Sequence, residues 1–353
     1  KKIQHATLRQ QSQQFAAAEL AICGIAAGRH LMKKEYIKIN SNCDGLPLGA
    51  AIYQPEADDR NRSGPSSAEN AIDEDCIKGV VQFSHGMAEH KERYYPLMEY
   101  LAANGFASAI NDHRGHGESV RSKEDRGYFY DDTSDFVVED IHQITTELKK
   151  RFPGKPVYLF GHSMGSLIVR KYIKKYDDEI SKLIVCGSPS RNPMVGAALL
   201  IVRIQKAIKG DRYRSKLIQK LAFGSYNKNI QSPVSENAWL SADENNVRNY
   251  DRDEDCGFTF TLNGFRNLFT LMKEIYRPEG WALKNENLPI FFIAGEADPV
   301  IVSEKAWKES IDFLRKVGYH NVSGKLYPGL RHEILNEKQA QTIYEDILTF
   351  LQN

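Results

Sequence analysis

Residues 157–169 read VYLFGHSMGSLIV: four apolar residues lead into Gly-x-Ser-x-Gly, and a segment with helical spacing follows directly. This pattern is typical of a strand that turns sharply into a helix, with a serine at the apex of the turn. Gly161 and Gly165 lack side chains, which lets the strand and the helix approach each other closely. The turn leaves the hydroxyl of Ser163 exposed, and the new helix offers unpaired amides to a developing negative charge. The stretch therefore predicts a reactive serine, although the motif by itself also occurs in glycine-rich turns.

The composition indicates a globular protein with one large domain, or with one domain and an insertion. The chain has 353 residues, of which 41% are hydrophobic and 26% charged, and its formal net charge is +1. A net charge so close to zero gives no electrostatic case for binding nucleic acid or an anionic membrane surface. The five cysteines have no paired spacing, so we expect free thiols in the reducing cytoplasm rather than disulfides or a zinc site. No apolar run approaches the ~20 residues that span a bilayer.

Two stretches differ from the rest of the chain. Residues 1–31 contain a glutamine-rich run followed by alanines, and we expect a non-native or disordered leader with Met32 as the natural start. A signal peptide is the alternative, but Glu19 interrupts its apolar part. Residues 56–78 are rich in Asp, Ser, Asn and Gly and predict a long mobile surface loop.

Strand and helix patterns alternate along most of the chain, which predicts a mostly parallel sheet covered by helices on both faces. The sheet opens with an antiparallel hairpin between residues 36–39 and 48–53. The alternation stops between residues 189 and 280, where the pattern predicts helices and no buried strand. An insertion at that point would lie over the strand ends where ligands bind, and it resembles a lid. A helical subdomain that serves only packing or oligomerisation is the alternative.

A serine needs a base to remove its proton, and the base needs a third group to orient it. In this architecture the order along the chain is Ser, then Asp or Glu, then His. Asp298 follows the apolar strand at residues 290–294, and His332 follows the last strand. Both side chains should therefore reach the same edge of the sheet as Ser163. Each residue alone has an ordinary explanation, but their order and their positions after strands predict a triad.

The oxyanion hole needs two backbone amides, one from the residue after the nucleophile and one from an earlier loop. Met164 follows Ser163, and Met87 lies in the loop after the strand at residues 80–83, so these two amides are the candidates. The histidines at 113 and 116 could suggest a metal site. The glycines and the arginine among them favour a tight hydrogen-bonded loop instead, and we predict no metal there.

Four motifs together resemble the monoacylglycerol lipase and lysophospholipase branch of the α/β-hydrolases, which includes hydrolases of the S33 serine aminopeptidase type. They are His85-Gly86-Met87-Ala88-Glu89-His90, Asp112-His113-Arg114-Gly115-His116-Gly117, Gly161-His162-Ser163-Met164-Gly165 and Arg331-His332-Glu333-Ile334-Leu335-Asn336-Glu337. The resemblance implies a catalytic triad of Ser163, Asp298 and His332 and no cofactor. It also implies a core at residues 32–188 and 281–353, and a helical cap at residues 189–280, after the sixth core strand, that forms an acyl-chain tunnel.

The expected function is hydrolysis of carboxylic esters through an acyl-enzyme, with monoacylglycerol, lysophospholipid or similar short-to-medium acyl esters as substrates. Transient contact with lipid surfaces through the cap is a further expectation, and the oligomeric state stays open. A serine peptidase is the first alternative; it would need an acidic cap residue such as Glu236, Asp243 or Glu244 to hold a free amine. A binding module without catalysis is the second, and the complete triad disfavours it.

Overall fold

An eight-stranded sheet forms the centre of the computed structural model, which describes residues 32–56 and 77–353. The predicted leader, and residues 57–76 of the predicted loop, lie outside the described residues. The strands are β1 (Met32–Asn40), β2 (Pro47–Pro55), β3 (Gly79–Ser84), β4 (Phe106–Asn111), β5 (Val157–His162), β6 (Lys182–Cys186), β7 (Ile290–Gly295) and β8 (Val322–Tyr327). Their order in the sheet is β1-β2-β4-β3-β5-β6-β7-β8.

Strands β3 to β8 run parallel, while β2 pairs antiparallel with both β1 and β4. The predicted hairpin and the predicted parallel sheet are therefore confirmed. The α-helices are α1 (Tyr95–Ala103), α2 (Asp135–Arg151), α3 (Met164–Tyr176), α4 (Val195–Lys209), α5 (Lys216–Phe223), α6 (Glu244–Arg252), α7 (Leu262–Glu274), α8 (Glu304–Val317) and α9 (Ala340–Gln352).

The central strand β5 shows why the sheet is covered on both faces. Val157 and Leu159 point into one hydrophobic core, which also contains residues of α2, α3 and α8. Tyr158 and Phe160 point into the opposite core, with residues of α1 and α9. Alternate side chains of a strand point to opposite faces of the sheet, so a strand that is apolar throughout has to be covered on both faces.

The chain between β6 and β7 leaves the sheet for about a hundred residues. We call residues 187–289 the inserted segment; it contains helices α4 to α7. Helix α7 packs against α3 of the core, and α4 packs against α7. No described helix, in this segment or in the rest of the two described ranges, is long and apolar enough to cross a membrane.

The turn from β5 into α3 is held by contacts that leave no room for side chains. A Cβ atom on Gly165 would lie 1.9 Å from the carbonyl oxygen of Ser84, at the end of the neighbouring strand β3. A Cβ atom on Gly161 would lie 2.5 Å from the carbonyl oxygen of Gly165. The obstructing atoms belong to the backbone and cannot rotate away. The two glycines are therefore needed for the close approach of the helix to the sheet.

We predict that Gly165→Ala lowers the free energy of unfolding by about 3 kcal/mol or more, because the added methyl group overpacks a backbone contact. Gly196→Ala is the matched control, since Gly196 also lies in a helix but a Cβ atom added there would have no neighbour within 4 Å. That control should raise the free energy of unfolding by up to about 1 kcal/mol, as expected for alanine in an exposed helix. Urea unfolding measures both values, and equal stability of the two variants would contradict the prediction.

Candidate active site

Ser163 stands at the turn between β5 and α3 with backbone angles of φ 53° and ψ −119°. A non-glycine residue in this region is strained by about 1–3 kcal/mol, and such strain persists where the surrounding structure over-determines it. Here the amide of Ser163 donates to the carbonyl of Cys186, and its carbonyl accepts from the amide and hydroxyl of Ser166. The strained turn predicted from the sequence is therefore present.

Asp298 and His332 meet at the ends of β7 and β8, as the chain order predicts. Nδ1 of His332 lies 2.9 Å from Oδ2 of Asp298, and both side chains are almost completely buried. Because a carboxylate can only accept, this bond places the Nδ1 proton on His332. The other oxygen of Asp298 accepts from the amide of Val300 at 2.8 Å, which fixes the carboxylate. The pair leaves Nε2 of His332 available as a base.

Gly187, directly after β6, lies close to the His332 ring. A Cβ atom at this position would stand 3.2 Å from Nδ1 and Cε1 of His332, and the glycine has φ +54°. Its neighbour Cys186 accepts the hydrogen bond from the amide of Ser163. The ring of His332 and the serine turn thus both contact the end of β6. Among the hydrogen bonds of the described residues there is none between Ser163 and His332.

The two amides predicted for the oxyanion hole lie at the ends of β3 and β5. Met164 is the first residue of α3, where backbone N–H groups have no partner within the helix. Met87 lies in the loop after β3, and neither amide donates to a protein acceptor in the described part of the chain. Gly86, beside Met87, approaches the turn closely: a Cβ atom on it would lie 3.2 Å from Cβ of Ser163.

His162 contacts the His332 loop, a contact that the motif by itself does not reveal. The rings of His162 and His332 lie 4.7 Å apart, and Nε2 of His162 is 3.1 Å from the backbone carbonyl of His332. Nδ1 of His162 faces Oε1 of Glu89 at 3.3 Å. Burial disfavours the charged form of His162, but the hydrogen bond and charge of Glu89 outweigh it and raise the pKa of the imidazole. His162 and Glu89 therefore form a buried ion pair beside His332.

The loop that carries His332 is also bound to the inserted segment. The amide of Glu333 donates to the carbonyl of Leu240 at 2.7 Å. The Glu333 carboxylate accepts from Asn246 at 2.6 Å and from Arg93. Three more residues join the two parts. The Arg331 side chain donates to the carbonyls of Ala238 and Ser241. The amides of Ala242 and Asp243 donate to the carboxylate of Glu337. We call residues 238–246 the anchored strip of the inserted segment.

An aromatic cluster from the inserted segment lies against the ring of His332. The indole of Trp239 lies 5.1 Å from the imidazole of His332, measured between ring centroids. Tyr226 meets Trp239 edge-on at 4.9 Å, and Phe223 stacks on it at 6.4 Å. Burial and the nearby charge of Asp298 raise the pKa of the Tyr226 phenol, so it stays neutral. Aromatic rings of this kind exclude water and provide apolar contact area.

The loop with His113 and His116 is a hydrogen-bonded support, as the sequence predicts. Nε2 of His113 pairs with the hydroxyl of Ser84, and its amide donates to Nε2 of His85. Nε2 of His116 accepts from the amide of Ala88 at 3.2 Å. Burial lowers the pKa of His116 to about 3, so its ring is neutral and can accept. This loop braces the strand end that carries Met87.

Within the described ranges, one group of side chains has donors close enough to hold a metal ion: His90, Asp253 and Cys256, with ligand atoms within 4.8 Å of one another. Nε2 of His90 already lies 2.9 Å from Oδ2 of Asp253. Burial raises the pKa of the Cys256 thiol, which keeps it protonated and a poor ligand. In this structure the group joins the loop after β3 to the inserted segment.

The three acidic residues considered for binding a substrate amine have other surroundings. The Asp243 carboxylate accepts from the amide of Asn245 and caps α6. Glu244 is exposed and pairs with Arg248. Glu236 is exposed. None of the three carboxylates is hydrogen-bonded to His332 or Asp298.

The Glu89–His162 pair makes stability depend on pH. Because folding raises the pKa of His162, the charged imidazole stabilises the folded state at pH values below 6.5, the pKa of free imidazole. This stabilisation is lost as the pH rises through the pKa of His162 in the folded protein. Burial opposes the charged form of Glu89, but His162 and Arg93 outweigh it and lower its pKa, so its contribution is present above 4.5. We predict that Glu89→Gln loses more unfolding free energy, relative to wild type, at pH about 6 than at pH about 9.

Urea unfolding at the two pH values measures this difference, and NMR titration should show a lower pKa for His162 in the variant. Glu244→Gln is the control, because it removes an exposed carboxylate paired with Arg248 and should show no such pH dependence. An unchanged His162 titration in Glu89→Gln would contradict the ion pair.

Known proteins resemble this chain in both sequence and fold. A monoacylglycerol lipase of Mycolicibacterium smegmatis is 27% identical over 274 residues, which cover 78% of this chain and 88% of the relative. A monoglyceride lipase of Saccharomyces cerevisiae is 26% identical over 298 residues, covering 78% and 85%. The structure of a thermostable carboxyl esterase from Bacillus coagulans, in complex with glycerol, superposes with a TM-score of 0.78 at 26% identity. It covers 91% of this chain and 99% of the esterase.

The family comparison covers strands β3 to β8, the serine turn and the inserted segment together. The family described as serine aminopeptidase, S33, matches residues 75–339, which include every candidate site residue named above. A monoglyceride lipase structure from Saccharomyces cerevisiae, with a TM-score of 0.62 at 20% identity, has the same fold. The chain has the α/β-hydrolase fold and belongs to the serine aminopeptidase S33 family.

Proposed function

We propose that this protein is a serine hydrolase that cleaves carboxylic esters of lipid origin through an acyl-enzyme intermediate. The observation that carries the proposal is the buried Asp298–His332 pair at the strand ends where Ser163 occupies its strained turn. A base oriented by a carboxylate, together with a partly exposed hydroxyl and two unpaired amides, is the arrangement that acyl transfer requires. The relatives that are named lipases and esterases support the same reaction class.

In the first half-reaction His332 takes the proton of Ser163 at Nε2 while the serine oxygen attacks the ester carbonyl. Asp298 holds the Nδ1 proton and stabilises the imidazolium that forms. The carbonyl oxygen becomes an oxyanion and is stabilised by the amides of Met87 and Met164. The tetrahedral intermediate then collapses, His332 returns its proton to the alcohol, and the alcohol leaves.

In the second half-reaction water attacks the acyl-serine. His332 takes a proton from the water, and the same two amides stabilise the second oxyanion. Collapse of this intermediate breaks the bond to Ser163, which regains its proton from His332. The products are a carboxylic acid and an alcohol, and the side chains return to their starting protonation states. No step needs a metal or a redox cofactor.

The inserted segment supplies the apolar surroundings of the site, and we propose residues 189–280 as a cap over the core. Trp239, Tyr226 and Phe223 form a water-excluding wall beside His332, which suits an acyl chain better than a charged group. Monoacylglycerols and lysophospholipids combine one acyl chain with a polar alcohol, so we propose substrates of this class. Large exposed side chains on the cap support contact with the lipid surfaces where such substrates reside.

Peptide hydrolysis is the second candidate, because the family is described as a serine aminopeptidase family. An aminopeptidase must hold a free amine, and a carboxylate at the site is the usual means. Asp243 caps a helix and Glu244 pairs with Arg248, so these two carboxylates are already engaged. The relatives named as lipases and esterases favour ester over peptide hydrolysis. The oriented imidazole of His332 disfavours a binding module, which would have no need of it.

We predict that Ser163→Ala lowers kcat for ester hydrolysis by roughly 10⁴-fold or more, because the nucleophile is removed. Ser303→Ala is the control: Ser303 caps α8 and should affect stability but not turnover. A fluorophosphonate probe should label the wild type and the control but not Ser163→Ala. Labelling of the folded Ser163→Ala protein, or its full activity, would contradict the assignment.

We also predict that Asp298→Asn lowers kcat by about 10³- to 10⁴-fold, because the amide no longer fixes the tautomer of His332. Asp346→Asn is the matched control, since Asp346 pairs with Lys325 at a partly exposed site away from the base. Steady-state kinetics on a soluble ester measure both variants, and circular dichroism checks their folding. Equal losses in the two variants would argue against a specific role for Asp298.

An ester series from acetate to long-chain monoacylglycerol, run beside a panel of aminoacyl amides, separates the two candidate functions. We expect turnover of the esters, with an optimum chain length that reports the depth of the apolar pocket, and little turnover of the amides. Cleavage of the amides alone would assign the protein to the peptidases. Turnover that persists in Ser163→Ala would show that the activity has another source.

A further inference from the structure

Positive charge is concentrated in one part of the inserted segment. Residues 191–235 contain nine Lys or Arg residues and a single acidic residue, Asp211, in a chain whose net charge is only +1. The rest of the chain is therefore net acidic. The net charge of the whole chain gives no electrostatic case for an anionic membrane surface. It is, however, the sum of a basic stretch and an acidic remainder. Helices α4 and α5 both lie within the basic stretch.

The same two helices expose apolar side chains. Leu200, Ile204 and Ile208 recur every four residues along α4, which places them on one face, and Ile208 is 76% exposed. The opposite face of α4 is buried through Val195 and Val202, where the helix packs against α7. The apolar stripe therefore remains after the helix has completed its own packing.

Helix α5 repeats this pattern over its shorter length. Leu217 and Leu221, four residues apart, are 54% and 64% exposed, whereas Ile218 between them is buried. Lys216 and Lys220 are exposed on the same helix. We call the exposed apolar side chains of α4 and α5 the apolar ridge; its members are Leu200, Ile204, Ile208, Leu217 and Leu221.

A basic cleft of about 810 Å³ lies at the carboxyl end of α4, next to the apolar ridge. The cations that line it are Arg203, Lys206, Lys209, Arg212 and Arg266. The acidic side chains that face them are three aspartates, Asp125, Asp132 and Asp211. Five cations against three carboxylates leave the cleft positive.

Two cations of the cleft have no acidic partner among the described residues. Lys206 pairs with Asp132 and Asp211, and Arg266 also pairs with Asp132. Arg203 is exposed and forms no ion pair in the described ranges, and Nζ of Lys209 donates only to the neutral hydroxyl of Tyr213, at 3.2 Å. Arg203 and Lys209 are therefore available for an external anion, and both lie on α4 beside the ridge.

We propose that α4 and α5 bind the surface of an anionic phospholipid bilayer. The apolar ridge enters the boundary between headgroups and acyl chains, and Arg203 and Lys209 pair with phosphate groups at the rim. Exposed apolar side chains flanked by Lys and Arg are the combination that holds a helix in a membrane interface. The inference rests on the proposed function in one respect: a lipid ester substrate would be drawn from that surface.

Other occupants fit these observations less well. A second copy of the chain, related by two-fold symmetry, would set the same basic stretch against itself, so charge repulsion opposes that dimer. Nucleic acid would use the basic residues but gains nothing from five exposed aliphatic side chains. An anionic bilayer matches the charge and the apolar ridge together.

The test is vesicle co-sedimentation with phosphatidylcholine alone and with phosphatidylcholine mixed with phosphatidylglycerol. We expect the full-length wild type to prefer the anionic vesicles and to lose that preference at high salt. Replacing both free cations (Arg203→Gln with Lys209→Gln) should weaken partitioning by about 30-fold, because each basic residue near an anionic surface strengthens binding by about fivefold. Ile204→Ser with Ile208→Ser should weaken binding to both vesicle types.

The matched control is Lys150→Gln with Lys308→Gln, which removes two exposed lysines from core helices α2 and α8. This variant should bind like the wild type. Equal binding of the wild type to both vesicle types, an unchanged double-cation variant, or an equal loss in the control would each overturn the proposal. So would sedimentation showing that α4 and α5 form a dimer contact that the same variants disrupt.

Hydrolysis of a short, water-soluble ester is measured on all variants. It should stay within about twofold of wild type, because these side chains lie outside the catalytic groups. Loss of vesicle binding with this activity intact supports the docking role. Vesicle binding by a protein that hydrolyses no ester would overturn the proposed function and leave the docking surface established. The two proposals can therefore fail separately.

Discussion

The approach of α3 to the end of β3 is the constraint on which the site depends. Only glycine at position 165 lets the helix backbone come so close to the carbonyl of Ser84. That contact holds Ser163 in a backbone conformation that its own energetics disfavour. The strained turn in turn brings the amide of Met164 to the same sheet edge as the loop with Met87. A steric requirement between backbone atoms thus determines the geometry of the candidate site.

A network of buried charges lies next to His332. Glu89 and His162 form one ion pair, and Arg93 joins Glu89 to Glu333 in the loop that carries His332. Buried charges stabilise the folded state only when each has a partner of opposite charge. Removal of one member therefore leaves an uncompensated charge in the core, which is strongly destabilising. The network therefore favours a single position of the His332 loop over alternatives.

The sequence was sufficient for the fold and for the meeting of Asp298 with His332. Both residues follow strands of a parallel sheet, and such strands end at one edge, so chain order alone predicts the contact. It could not reveal that His162 packs on His332, because that contact depends on how a ring turns in the core. It also could not show that Leu200 and Ile204 face outward, since an apolar helix looks the same whether it is covered or not. The excess of positive charge at residues 191–235 was visible in the sequence but was hidden by the total.

The anchored strip differs from the rest of the inserted segment in how it is attached to the core. Residues 238–246 are hydrogen-bonded to the loop that carries His332, so a substitution there disturbs the support of this side chain. Outside the strip, Phe223 at the end of α5 stacks on Trp239, whereas Leu200, Ile204 and Ile208 of α4 face outward. Natural selection can therefore change the outward face of α4 without altering the hydrogen bonds that hold the His332 loop.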